Sequence, residues 1–287
     1  MTAVASARPE RFSIGRVFGS TFSVIGRSFG PLAAIVGLFS TLPALLYNFW
    51  SLSQVARMAN PADVAAFESM ASYSIISVVA GLVLLILAFL AQAALVRATV
   101  EDLNGKRPAV GDCMQIALAS FLPTLGIGLV VFLAMILAGI VMVIVAAVIP
   151  VVGWLVGLIA VLIPAAMWLL GIAVSIPVAV QERLGVFDSI SRSRVLTKGS
   201  RWPIFWLFLI IGLVAMVLQV GFSLLFGFAV AASGSITGTG VVVGAIGSSL
   251  LSTIFSTVIS VAIALTYVEL RQVKEGTSVD ELAEIFS

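Results

Sequence analysis

Long stretches of this chain carry no ionisable side chain, and the charges are gathered at the joints between them. Charged residues make up 10% of the 287 and hydrophobic residues 61%. Ser28–Ala56 and Ser69–Val96 are each uncharged and each have room for one helix, since about 20 apolar residues cross the hydrocarbon of a bilayer. Cys113–Gln181 and Trp202–Val268 are also uncharged and too long for one crossing, so each reads as two crossings joined by a turn. The first turn is expected at Ile149-Pro150-Val151-Val152-Gly153-Trp154 and the second at the polar, glycine-rich run from Ser233 to Gly240. Backbone in lipid must satisfy its own hydrogen bonds, so the crossings are helices. The expected fold is an all-α integral membrane domain over 1–287, with spans near 30–53, 73–96, 120–148, 154–180, 203–231 and 241–268.

Orientation follows from the cations that flank the spans. Of the 15 Lys and Arg, only Arg57 falls on one side of the six-span pattern, and all the others fall on the opposite side. The side rich in Lys and Arg is the cytoplasmic one, which places both termini there in a bacterial inner membrane. The pI near 9.0 is then a topological signal, and nucleic acid is not expected as a partner. The first apolar run starts too late and runs too long for a cleavable signal. Spans, loops and tails use up the chain, which leaves no stretch for a soluble catalytic domain.

A pattern recurs along the chain. Phe18, Phe22, Ile25 and Phe29 repeat every three or four residues, with Arg16, Ser20, Ser23 and Arg27 opposite. This predicts an amphipathic helix in the membrane interface, with its aromatic stripe in lipid and a break near Gly30-Pro31. Val110, Met114, Ala117 and Phe121 repeat the pattern before span 3, and a ragged version over Val186–Leu196 precedes span 5. Each hairpin closes on an acid: Glu101 after span 2, Glu182 after span 4 and Glu269 after span 6, at nearly equal intervals. The expectation is three tandem copies of interfacial helix plus hairpin, about 12–103, 108–184 and 185–271, with a short tail over 272–287.

Glu101, Glu182 and Glu269 lie at helix C-termini, where the macrodipole favours cations, so each needs compensation. Arg16, Arg27, Arg192, Arg194, Lys198 and Arg201 are the expected partners. The acids are either clamps that hold the short helices or a ring that binds a cation or a partner. The same cations, with Trp202 at headgroup level, would attract anionic lipid. A second membrane protein or another copy of the chain remains a further class of partner.

Chemistry is sparse inside the membrane. No Asp, Glu, Lys or Arg lies in any span and the chain has no His, which argues against a proton-coupled carrier. One Cys, Cys113, and no His exclude zinc sites of the His/Cys type and a Ser–His nucleophile. Glu101, Asp102 and Asp112 match no metal motif, and neither a metal, a cofactor nor an enzymatic activity is expected. Asn48, Gln92 and Gln219 are expected to hydrogen-bond between helices. Ser252, Thr253, Ser256, Thr257 and Ser260 line one broad face of span 6, either as a packed interface or as a strip facing a cavity. Pro43, Pro164 and Pro177 should bend their helices.

Several short segments together are similar to a known family: Phe12-Ser13-Ile14-Gly15-Arg16, Leu42-Pro43, Glu182-Arg183-Leu184-Gly185, the run Ser191–Gly199, and Tyr267-Val268-Glu269-Leu270-Arg271 through Gly276. They resemble the bacterial membrane domain fused to some glycerophosphodiester phosphodiesterases and its stand-alone relatives of the YciC type. One departure is Glu269, where an Asp is expected before Leu-Arg. In fused members the hydrolytic residues belong to a separate soluble barrel, so the resemblance does not carry phosphodiesterase activity to this chain. The reading placed first is a non-catalytic scaffold or partner subunit in envelope or lipid homeostasis. The alternative is a passive transporter or lipid-handling protein with a cavity between the hairpins, and a cavity lined by Ser256 and Ser260 would favour it.

Overall fold

A computed structural model describes residues 12–58, 65–148, 153–233 and 239–276, and those residues form helices and short connections with no strand. In chain order the helices are α1 (Ile14–Arg27), α2 (Phe29–Val36), α3 (Leu42–Met58), α4 (Ala65–Leu103), α5 (Val110–Ala119), α6 (Phe121–Val148), α7 (Gly153–Gly171), α8 (Ser175–Glu182), α9 (Val186–Thr197), α10 (Arg201–Ser233) and α11 (Thr239–Glu275). Six stretches are long and apolar enough to cross a membrane: Phe29–Gln54, Ser72–Leu103, Phe121–Val145, Ile159–Glu182, Arg201–Phe228 and Val242–Glu275. They fall on the four uncharged blocks, two in each of the longer ones, and several run on into the flanking charges. Most of each expected turn, over 149–152 and 234–238, lies outside the described residues, as does the tail from 277. α11 continues to Glu275, beyond the expected start of the tail.

Consecutive long helices pack in pairs, α3 with α4, α6 with α7 and α10 with α11. They pack on one another mainly through α4 with α6, α4 with α11, and α7 with α10. Gly128 permits the α4–α6 approach, because the Phe89 ring occupies the place a side chain would need. At Gly157 a side chain would meet Val145 Cγ1 at 3.3 Å, so glycine brings α7 close to α6. Small residues at helix crossings supply packing contacts where lipid removes any hydrophobic drive between helices.

The buried residues concentrate at the charged ends of the long helices. Ala93, Ala94, Val96 and Ala98 on α4, Val174 just before α8 and Val178 on it, and Val261, Ala262 and Ala264 on α11 are fully buried. Toward the opposite ends apolar side chains are exposed, among them Val78 and Leu82 on α4, Leu137 and Ile144 on α6, and Leu224 and Phe228 on α10. The packing is therefore densest at the charged ends of the long helices and sparse toward their opposite ends.

α1 packs into this base. Ser13 caps it, its hydroxyl accepting from Arg16 N at 3.4 Å. Its buried face is Val17, Thr21 and Val24, set against α11, α4 and α10. The stripe read as lipid-facing divides: Phe22 and Phe29 are exposed, while Phe18 and Ile25 are half-buried against the core. A smaller stripe of Val and Thr, lying between the aromatic and cationic ones, turns out to be the docking face. The break after α1 falls at Ser28, just before Gly30-Pro31.

Two spans depart from simple helices. A π-helical turn over Gly37–Thr41 separates α2 from α3, and it accommodates Pro43, which cannot donate to the turn before it. Span 4, expected to be continuous, is interrupted at 172–174 between α7 and α8. The Gly171 carbonyl freed there accepts from Ser193 Oγ at 3.0 Å and Thr197 Oγ1 at 3.2 Å, both on α9. An interrupted span is tolerated only where neighbours satisfy the released groups, and α9 does so here. Pro164 lies inside α7 without breaking it, and Pro177 falls in the first turn of α8, where a missing donor costs nothing.

Candidate functional site

Each of the three glutamates at the charged end is engaged by the short helix that follows it in the bundle. Glu269 on α11 accepts at Oε1 from Arg16 Nε (3.0 Å) and Nη2 (2.7 Å) of α1, and from the Ser13 backbone N–H at 3.4 Å. The carboxylate thus also sits at the α1 N-terminus, where the macrodipole favours it. Glu182 on α8 accepts from Arg192 Nε of α9 at 3.1 Å. Glu101 on α4 is approached by the Cys113 thiol of α5 at 3.7 Å.

The expected partners are present for Glu182 and Glu269 and absent for Glu101. Its ion pair is with Arg97, one turn back on α4, at 2.9 Å. Arg27 pairs with the neighbouring Asp102 at 2.8 Å, and Ser28 Oγ donates to the same carboxylate. Asp102 was weighed in the sequence only as a metal ligand, although its place beside Glu101 at the helix end gave the signal for a clamp. Arg194 and Lys198 are exposed without an ion pair among the described residues, as is the Trp202 ring. The Arg201 side chain folds back against Gly171.

Around Glu182 the contacts close into a ring. The Tyr267 hydroxyl donates to Glu182 Oε1 at 3.1 Å and accepts from Arg271 Nη1 at 3.2 Å. Arg271 Nε donates to Glu275 at 2.9 Å, Glu275 accepts from Arg192, and Arg192 returns to Glu182. Burial disfavours the charge on Arg192, but the Glu275 hydrogen bond and the Glu182 charge outweigh it and raise its pKa. The ring ties α8, α9 and α11 with every polar group paired. Beneath it, Val100, Gln181 and Val268, the residues just before the three glutamates, are all buried. Neither amide atom of Gln181 has a partner.

Burial pushes the Cys113 thiol up to about 12, with the Glu101 charge adding to the effect. It is a protonated, inert thiol rather than a nucleophile.

The polar strip of α11 splits between two faces, which corrects the expectation of one. Thr253 and Thr257 face α2 and α3 across an apolar groove of about 490 Å³, where Thr41 Oγ1 donates to Thr253 Oγ1 at 3.2 Å. Ser252, Ser256 and Ser260 line a cleft of about 630 Å³ bounded by α4 and α10. The other polar residues there are Gln92 of α4 and Gln219 of α10. Asn48 bonds between helices as expected, Nδ2 donating to Ser249 Oγ at 2.9 Å. Gln92 and Gln219 do not, and instead face the cleft. Among the described residues, none of these five cleft side chains has a protein hydrogen-bond partner. At 1.5 Å per residue, Gln92 and Ser260 lie about 14 Å from the charged ends of their helices and Ser252 about 25 Å.

No family model, no curated protein and no solved structure matches this chain.

Proposed function

We propose that this chain is a multi-pass membrane protein that takes the polar part of an amphipathic molecule, a membrane lipid, into the cleft between α4, α10 and α11. One observation carries the reading: five polar side chains line a cavity at membrane depth and, among the described residues, none is spent on another protein group. An unpartnered amide or hydroxyl in hydrocarbon costs on the order of several kcal/mol, so the cleft holds water or a ligand's polar atoms. Its position, about 14–25 Å from the charged ends, spans the middle of a ~30 Å hydrocarbon layer. The absence of any titratable cleft side chain makes movement of the ligand passive.

Around this cleft we arrange the finer features. The charged base lies in the bacterial cytoplasm with both termini, following the cation asymmetry. Three copies of short helix plus hairpin make up the bundle, α1–α4, α5–α8 and α9–α11, and the cleft lies between the first and the third. Support comes from a cyclic relation: α5, α9 and α1 touch Glu101, Glu182 and Glu269, and the last of these closes the circle from the end of the chain to its start. The resemblance to the membrane domain of certain phosphodiesterases agrees with a role in lipid or envelope homeostasis. The scaffold reading finds its support in the same paired base, and the open cleft is what turns the preference toward lipid handling.

The test uses protein purified in a maltoside detergent and reconstituted in vesicles. Retained phospholipid is identified by native mass spectrometry, and transbilayer movement of a fluorescent phospholipid is followed. Ser256→Phe, which fills the cleft, should abolish lipid retention and slow the movement to that of empty vesicles. Equal retention and movement in the variant would contradict the proposal.

A further inference from the structure

Every α-helix that ends a hairpin at the charged base stops on a residue in the left-handed region. α4 stops at Gly105 (φ 70°) and α11 at Gly276 (φ 66°). α8 stops at Arg183 (φ 51°), the one non-glycine residue with positive φ among those described. Left-handed backbone costs an L-residue about 1 kcal/mol or more, and glycine is the ordinary occupant of this cap. An arginine kept there needs a use for its side chain, and burial does not supply one: Arg183 is exposed and has no carboxylate partner among the described residues.

Its surroundings supply the use. Arg183 borders a recess of about 410 Å³ between α5, α6 and α8, together with Gln115 and Ser120. Ser120 is 7% exposed, yet its hydroxyl has no protein partner among the described residues, although it lines the recess. It joins the end of α5 to the start of α6, just over one turn from Gln115, which lines the same recess. A guanidinium, a buried free hydroxyl and an amide are a donor set suited to a phosphate group. No acidic side chain lines the recess.

We infer that this recess is a phosphate-binding site, with Arg183 and Ser120 as its principal donors. Arg183 directly follows the apolar stretch Ile159–Glu182 and Ser120 directly precedes Phe121–Val145. Both donors therefore stand at the level where a bilayer presents phospholipid headgroups. The chemistry is that of a phosphate mono- or diester, and its source is a lipid headgroup or free phosphate. The site is separate from the cleft between α4, α10 and α11 and does not rest on that reading.

The experiment measures binding of phosphatidylglycerol, oleate and inorganic phosphate to the purified protein in maltoside detergent, comparing wild type, Arg183→Gly and Ser120→Ala. Glycine suits the left-handed cap, so Arg183→Gly should melt at the same temperature as wild type or higher while its phosphatidylglycerol affinity falls at least tenfold. Ser120→Ala should lose severalfold. Oleate carries equal charge without phosphate and should bind weakly and indifferently to both variants. Phosphatidylglycerol binding that inorganic phosphate does not displace identifies a headgroup site. Inorganic phosphate that binds alone, and is weakened by Arg183→Gly, identifies a free-phosphate site. If Arg183→Gly does not fold, Arg183→Gln is measured in its place. Affinities unchanged by loss of Arg183, or oleate binding as tightly as phosphatidylglycerol, would overturn the inference.

Discussion

The Tyr267 hydroxyl donates to Oε1 of Glu182 at 3.1 Å, joining α11 to the end of α8 across 85 residues of sequence. Tyr267 is almost wholly buried, and its hydroxyl has no use other than this carboxylate and the Arg271 guanidinium that donates to it. A hydrogen bond to a charged group contributes roughly 1.5–3 kcal/mol, so Tyr267→Phe should lower stability by about that amount in a detergent unfolding series. Glu182→Gln should lower it similarly and, combined with Tyr267→Phe, by less than the sum, because both break one ring. Additive effects would show that the ring does not act as a unit. Glu101→Gln should cost less than either, since the ion pair it removes lies within α4.

The pair between Arg16 and Glu269 is lopsided: the arginine side chain is 50% exposed and the glutamate 8%. Removing Arg16 leaves a buried carboxylate with the Ser13 N–H, whereas neutralising Glu269 leaves an arginine that water can solvate. Arg16→Ala should therefore destabilise by about 1–3 kcal/mol and Glu269→Gln by less. Chemical unfolding of both variants checks the order, and a reversed order would mean that α1 is held by its Val17, Thr21 and Val24 face alone.

Gln181 is buried with both amide atoms unpaired among the described residues, and it precedes Glu182 as the buried Val100 and Val268 precede Glu101 and Glu269. Replacing an unsatisfied buried group by an apolar one removes a penalty of about 1–3 kcal/mol. Gln181→Val should raise the melting temperature. A lower one would reveal a partner, such as an ordered water, that the amide needs.

Cys113 should be silent to thiol reagents. Its pKa of about 12 leaves about one thiolate in ten thousand molecules at pH 8. Maleimide should modify it only after denaturation. The linkage has a definite sign: the folded state holds this proton more tightly than the unfolded one, from a reference of 9.0, so its contribution is full below pH 9 and is lost as pH rises toward 12. Cys113→Ser should flatten that alkaline decline.

The spans were legible because charge is excluded from lipid-crossing helices, so four uncharged blocks and two glycine- or proline-bearing turns marked six crossings. Arg16 and Arg192 were legible as clamps because a carboxylate at a helix C-terminus requires a cation nearby. The pairing of Asp102 with Arg27 was not, since nothing in the spacing chooses between adjacent acids on one helix end. The interruption of span 4 also escaped notice. Its local signals, Gly171 and Pro177, are common in membrane helices, and the groups that permit the break, Ser193 and Thr197, lie on another helix. The serine and threonine run of α11 was visible as polar. Its division between two faces depends on where α3 and α10 stand, which periodicity along one helix does not encode.

Labelling at Ser53 and Lys198 tests the threading of the chain most directly. Ser53→Cys, at the far end of the first span, and Lys198→Cys, at the charged base, are exposed to a membrane-impermeant maleimide added to intact cells, with Cys113 contributing no background. The account predicts labelling of residue 53 from outside and of residue 198 only after the membrane is opened. Labelling of residue 198 from outside would contradict it.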